Sequence, residues 1–170
     1  MPVLPPPRTP GRYSVSLVCL GNICRSPMAH VVLEARLVDA RLTDRVSVRS
    51  SGTGDWHVGR PMDERAANML RRAGYDPSRH RAQQYDGSWA RQDDLVLAMD
   101  RDNLADLGGR SDRVAKFRDF DPVGTGDDVP DPYYGEADGF AEVLTMVERT
   151  ADALVRLLET TLDRPGPRDG

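Results

Sequence analysis

The chain has 170 residues, 39% of them hydrophobic and 29% charged, a balance that suits one globular domain with a core of its own. A net charge of −4 with no basic tract excludes a general nucleic-acid binder, and no apolar run approaches the roughly 20 residues of a transmembrane helix. Only two cysteines occur, Cys19 and Cys24, too few for a disulfide framework or a four-ligand zinc site.

Residues 1–12 contain five prolines and read as a flexible leader without the apolar core of a signal peptide, so a reducing cytoplasm is the default location. Val15–Val18 reads as a buried strand. It breaks into a short loop, Cys19-Leu20-Gly21-Asn22-Ile23-Cys24, and restarts as a helix with Ser26 as N-cap and Pro27 in the first turn. Met28, Val31, Val32 and Ala35 give that helix, which runs to about Ala40, an apolar stripe. A loop feeding a helix N-terminus aims N–H groups and the positive dipole end at one spot, a natural anion site. Cys19 offers a sulfur nucleophile there, and Arg25 a planar fork for two phosphoryl oxygens. Nucleophile, anion cradle and clamp within one loop point to phosphoryl transfer.

Val46–Arg49 reads as a second strand, followed by a loop over 50–59 rich in small residues. Trp56 in that loop is either a satellite core residue or a wall for a flat aromatic substrate, and His57 reads as a solvated loop residue. Pro61–Ala73 has helix start and stop signals, and Asp86 caps a brief helix through Arg91. Asp94–Met99 is a continuous apolar strand, Asn103–Leu107 a short helix and Val114–Phe117 a fourth strand. A long Pro/Gly/Asp loop, Asp119–Gly135, precedes a last helix from Asp138 to about Leu162. The fold class is therefore α/β: a small parallel sheet of about four strands, helices on both faces, and the phosphate loop after the first strand. The domain spans 13–163, and 164–170 reads as a frayed tail. Cys19, Ser50 and Asp100 follow successive strands and should gather on one rim, where such folds bind ligands. In the long loop, Asp131 between Pro130 and Pro132 is a candidate proton donor with Tyr133 and Tyr134 beside it; the alternative is a turn with satellite core tyrosines.

The run from Cys19 to Pro27, set between a strand and a helix, resembles the phosphate loop of the low-molecular-weight protein tyrosine phosphatases, in a bacterial member. The Asp131-Pro132-Tyr133-Tyr134 motif matches that family near its C-terminus, and the resemblance covers about residues 13–162. It implies hydrolysis of phosphotyrosine in proteins through a cysteinyl-phosphate. Cys19 is then the nucleophile, Arg25 the phosphate clamp and Asp131 the general acid. Leu20, Gly21, Asn22, Ile23, Cys24, Arg25 and Ser26 form the phosphate-binding loop. Ser26 donates to the Cys19 thiolate, Asn22 is tied to Ser50 and His80, and Trp56, Tyr133 and Tyr134 form an aromatic rim. Cys24 is either a redox partner that shields Cys19 as a disulfide or a small buried residue. No cofactor and no metal is required, the partners are phosphotyrosine proteins rather than nucleic acid or membrane, and a monomer is the default.

Three other readings bear on the same residues. Arsenate reductases share the fold and loop but need further cysteines. A phosphoarginine phosphatase would carry a smaller residue where Ile23 stands, since Ile23 suits a flat phenyl ring. A non-catalytic phosphotyrosine-binding module would have lost Cys19 or Asp131.

Overall fold

Tyr13–Cys19 (β1) is the strand on which the sheet is built, paired in parallel with Val46–Gly52 (β2) on one side and Leu95–Ala98 (β3) on the other. Val114–Lys116 (β4) completes the order β2-β1-β3-β4. The structure, a computed structural model, describes residues 3–135 and 137–163. Side chains alternate across the sheet. Tyr13, Val15 and Leu17 with Leu95 and Leu97 join the larger core, under Arg25–Asp39 (α1), Glu64–Arg72 (α2) and Ala137–Asp163 (α4). Val18, Val96, Ala98 and Val114 face the other way, against Leu104 of Arg101–Asp106 (α3) and the half-buried Tyr85.

The helices differ from expectation in ways the packing explains. α1 begins at Arg25 with Cys24 in the N-cap position and no side-chain cap. Ser26 is not the cap, because its hydroxyl is engaged by Cys19 and Asn22. Leu33 and Leu37, rather than the half-buried Val31 and Ala35, join Met28 and Val32 in the core, because α1 packs on α4 as well as on the sheet. α2 starts after Pro61: Asp63 is its N-cap and accepts from the Arg65 N–H at 2.9 Å. β2 continues through Ser50, Ser51 and Gly52, expected as loop, since these pair in register with Leu17, Val18 and Cys19. β4 ends at Lys116, and Phe117 opens a 3-10 turn, Phe117–Phe120. The brief helix capped by Asp86 is a 3-10 turn as well, Gly87–Arg91.

The leader is held rather than loose over residues 3–12. Leu4 is buried in the larger core, the Tyr13 hydroxyl donates to the Pro5 carbonyl at 2.9 Å, and the Arg8 N–H donates to Asp94 Oδ1 at 2.6 Å. Prolines forbid a regular ladder, but not docking through the carbonyls they leave free. The tail expected over 164–170 lies outside the described residues.

Candidate active site

The chain leaves β1 for β2 on one side and reaches β3 on the other, so the topological switch point falls between β1 and β3. The loops after these two strands flank a crevice. Cys19 ends β1, and Asp100, the residue that caps α3, follows β3. At Cys19 opens a cleft of about 340 Å³, lined by Cys19, Ile23 and Arg25 and by Trp56, Asp131, Tyr133 and Tyr134, with Asp100 reaching it through Arg25.

The loop from Leu20 to Cys24 is shaped by hydrogen bonds that pull its carbonyls outward. Cys19, Leu20 and Ile23 carbonyls accept from the N–H groups of Thr53, Gly54 and Asp63 at 3.0, 2.9 and 2.9 Å. Asn22 takes a left-handed φ of 58°, which asparagine tolerates better than most side chains. Its carbonyl accepts from His80 Nε2 at 2.7 Å and its Oδ1 from the Gln83 N–H at 3.0 Å. Burial pushes His80 below the ordinary imidazole value, so the ring is neutral at pH 7 and carries its proton on Nε2. Asn22 Nδ2 donates to Ser26 Oγ at 2.8 Å, and that hydroxyl lies 3.0 Å from Cys19 Sγ. The Asn22 N–H donates to the sulfur at 3.2 Å. The sulfur thus accepts from the Asn22 N–H and faces the Ser26 hydroxyl, which becomes a second donor when Cys19 is a thiolate. Cys24 is also buried, but burial, then Asp63, Cys19 and Asp131, push its thiol far up, so it stays protonated.

Arg25 is 3% exposed. Its Nη1 donates to Asp100 Oδ2 at 2.5 Å and to the Val129 carbonyl at 3.0 Å. Its Nη2 lies 3.6 Å from Asp131 Oδ2. Burial opposes the charge on Arg25, but Cys19, Asp100 and Asp131 outweigh it and hold the guanidinium protonated. The loop carrying Asp131 is pinned at its base. The Val129 N–H donates to Met99 O at 2.8 Å, and Lys116 Nζ to Asp128 Oδ1 at 2.9 Å. At its tip the Tyr133 N–H donates to Asp131 Oδ1 at 3.0 Å, fixing the carboxyl's orientation.

A sulfur between the Asn22 N–H and the Ser26 hydroxyl, with a buried cation and a carboxyl lining the same cleft, is an arrangement suited to a phosphoryl group. The sequence model for low molecular weight phosphotyrosine protein phosphatases matches residues 14–165. The chain belongs to this phosphatase family. Low molecular weight protein-tyrosine phosphatase A of Mycobacterium tuberculosis is 46% identical over 158 residues, covering 90% of this chain and 96% of that protein. The Streptomyces coelicolor low molecular weight protein-tyrosine-phosphatase is 45% identical over 151 residues, covering 84% and 92%. Among solved structures, a protein tyrosine phosphatase from Entamoeba histolytica superposes with a TM-score of 0.82 at 31% identity, covering 87% of this chain and 97% of that one. Bacillus subtilis YfkJ gives 0.81 at 30% identity, covering 88% and 96%.

In this phosphatase chain, Cys19, Leu20, Gly21, Ile23, Cys24 and Arg25 of the expected loop line one cleft with Asp131 and the aromatic trio, whereas Asn22 and Ser26 are fully buried and do not line it. Trp56 is 66% exposed and Tyr134 91%, so neither is a satellite core residue. Among the described residues no hydrogen bond joins Ser50 to Asn22: the Ser50 hydroxyl pairs with His30 Nδ1 at 3.2 Å, and its carbonyl meets the network through Gln83 Nε2 at 3.0 Å. His57 is not a free loop side chain. It is half-buried in the cleft wall, where its ring stands over Gly21. Sequence reasoning put Asp100 on the rim without assigning it a partner, and it missed Gly52 and Gln83. An aspartate directly after a buried strand was the available signal for the first; a glycine among small residues was an ambiguous one for the second.

Proposed function

We propose that the chain hydrolyses phosphotyrosine in proteins, with Cys19, Arg25 and Asp131 carrying the chemistry. The observation behind this reading is the convergence, in one cleft, of Cys19 Sγ, which meets the Asn22 N–H and the Ser26 hydroxyl, with the Arg25 guanidinium and the Asp131 carboxyl. Cys19 thiolate attacks phosphorus in line while Arg25 and the loop N–H groups hold the equatorial oxygens. As the phosphorus–oxygen bond breaks, Asp131 gives its proton to the departing tyrosine oxygen. The same carboxylate then takes a proton from water, whose oxygen displaces sulfur; inorganic phosphate leaves and the thiolate is restored. Trp56, Tyr133 and Tyr134 offer flat faces to a phenyl ring held at this depth, which favours phosphotyrosine over phosphoserine. One chain holds every group named, so a monomer suffices. We place its work in cytoplasmic signalling, where the reducing pool keeps both cysteines as thiols.

The test is hydrolysis of p-nitrophenyl phosphate in the presence of a chelator, then of phosphotyrosine and phosphoserine peptides. Cys19→Ser should abolish turnover, and Asp131→Ala should lower it about 10²- to 10⁴-fold. A well-folded but inactive wild type would make the chain a phosphotyrosine-binding module instead, and equal rates on the two peptides would remove the aromatic-rim argument.

A further inference from the structure

Beyond Val129, the segment 130–135 that carries Asp131 is joined to another element, among the hydrogen bonds of the described residues, at one point. Arg65 Nη2 donates to the Tyr133 carbonyl at 3.0 Å. The guanidinium also lies over the Tyr133 ring, 5.4 Å from its centroid, and over the Phe140 ring at 4.8 Å. Phe140 is buried in α4, so this stack has a fixed floor. Arg65 is in turn aimed by Asp63, whose Oδ1 accepts from Nε at 3.2 Å and whose Oδ2 accepts from Nη2 at 3.1 Å. The Asp63 N–H donates to the Ile23 carbonyl of the phosphate loop at 2.9 Å. At the other end, the N–H of the same Tyr133 holds Asp131 Oδ1 at 3.0 Å. The contacts therefore run unbroken from Ile23 through Asp63, Arg65 and Tyr133 to the Asp131 carboxyl.

We propose that Arg65 is a positioning residue for the general acid: through the Tyr133 backbone it sets where the Asp131 carboxyl stands above the phosphate loop. The N-terminus of α2 is then a gauge block between the loop that holds the phosphoryl group and the loop that protonates the leaving oxygen. Asp63 fixes one side to Ile23, and Arg65 the other to Tyr133. The guanidinium fork serves because its in-plane donors reach Asp63 and Tyr133 together while its face stacks on two rings. The inference rests on Asp131 acting as the acid.

A misplaced acid has a signature that a damaged phosphate loop lacks. It slows the expulsion of a poor leaving group and spares a good one, which departs without a proton. The experiment compares kcat/KM on phenyl phosphate and on dinitrophenyl phosphate, with the competitive Ki of inorganic phosphate as a control on the loop. Arg65→Ala should lose about tenfold on phenyl phosphate and less than about twofold on dinitrophenyl phosphate, with Ki and Tm unchanged. Arg65→Lys, which keeps the charge and one donor, should recover part of the loss. In an Asp131→Asn background, Arg65→Ala should add nothing, because there is no acid left to place. No loss, an equal loss on both esters, a raised phosphate Ki, or a fully additive loss in the Asp131→Asn background would each overturn the assignment. Failure of the underlying reading is visible separately: Asp131→Asn alone would then slow both esters alike.

Discussion

Arg25 keeps its charge almost out of solvent, so its neighbours decide where it points. Asp100 and the Val129 carbonyl occupy Nη1 and turn the rest of the fork toward the cleft. Asp100→Asn isolates that service, since an asparagine oxygen still caps the Asn103 N–H of α3 while the ionic partner is lost. Two effects then oppose each other in phosphate binding: a looser fork weakens it, and one fewer negative charge near the site strengthens it. The transition state feels the same charge change but demands more of the fork's geometry than bound phosphate does. The expected outcome is a loss of about tenfold in kcat/KM, equal for good and poor leaving groups, with the phosphate Ki moving less than about threefold. A loss confined to poor leaving groups would instead put Asp100 on the acid side of the reaction. At this scale the sequence was most legible where residues act within one loop. Cys19, Ser26 and Arg25 are bound together by local chain geometry, so their spacing carried the information. Asp100 meets Arg25 only because β3 lies beside β1, a pairing that spacing does not encode. Ser50 was given the wrong partner for a related reason: strand pairing carries β2 through it and leaves its hydroxyl at His30 of α1.

Among the elements, β2 has the least room to change. A Cβ on Gly52 would stand 2.7 Å from the Leu20 carbonyl oxygen, 3.0 Å from Gly21 C and 3.1 Å from Asn22 N. All three are backbone atoms of the phosphate loop, so nothing flexible can give way. Gly52→Ala should cost about 1–3 kcal/mol in urea unfolding through overpacking. It should also lower turnover by about two orders of magnitude, since loop N–H groups displaced by an ångström no longer meet the phosphoryl oxygens. Wild-type turnover in Gly52→Ala would show that the loop tolerates a shift and that its seating on β2 is not critical. Small residues read as loop from sequence because turns favour them. Here Gly52 is small because the phosphate loop crosses close by, and Ser50 and Ser51 are buried in the sheet, placements invisible without the fold. Apolar patterning, by contrast, located the central strands β1 and β3 and the long helices α1 and α4, because strands covered on both faces carry apolar runs. The helix starts that moved, at α1, α2 and α3, lie beside side-chain hydrogen bonds at Ser26, Asp63 and Asp100.

Over the whole molecule, the loop that carries Asp131 is tied to α4 by a buried charge cluster. Asp121 accepts from Arg149 Nε at 2.6 Å, from Arg118 Nε at 2.9 Å and from the Val123 N–H at 2.9 Å. Burial opposes its ionisation, but the hydrogen bonds from Arg149, Val123 and Arg118 hold the carboxyl down at about 2, against an ordinary value of 3.8. In the window between these values the unfolded chain binds the proton and the folded one does not, so stability falls as the pH drops through it. Above the window the contribution is complete, of order ~2 kcal/mol. Asp121→Asn should lower the neutral-pH Tm and flatten the decline of Tm between about pH 4 and pH 2. An undiminished acid slope in that variant would assign the decline to other carboxylates. The opposite end of the molecule has a practical use. Residues 3–12 are fastened where the strands begin, through Arg8 at Asp94 and through Leu4 in the core, whereas the cleft opens where the strands end. A bead, sensor chip or display scaffold joined ahead of this docked segment would therefore hold the molecule by its base, leaving the cleft mouth turned outward for substrates as bulky as folded proteins.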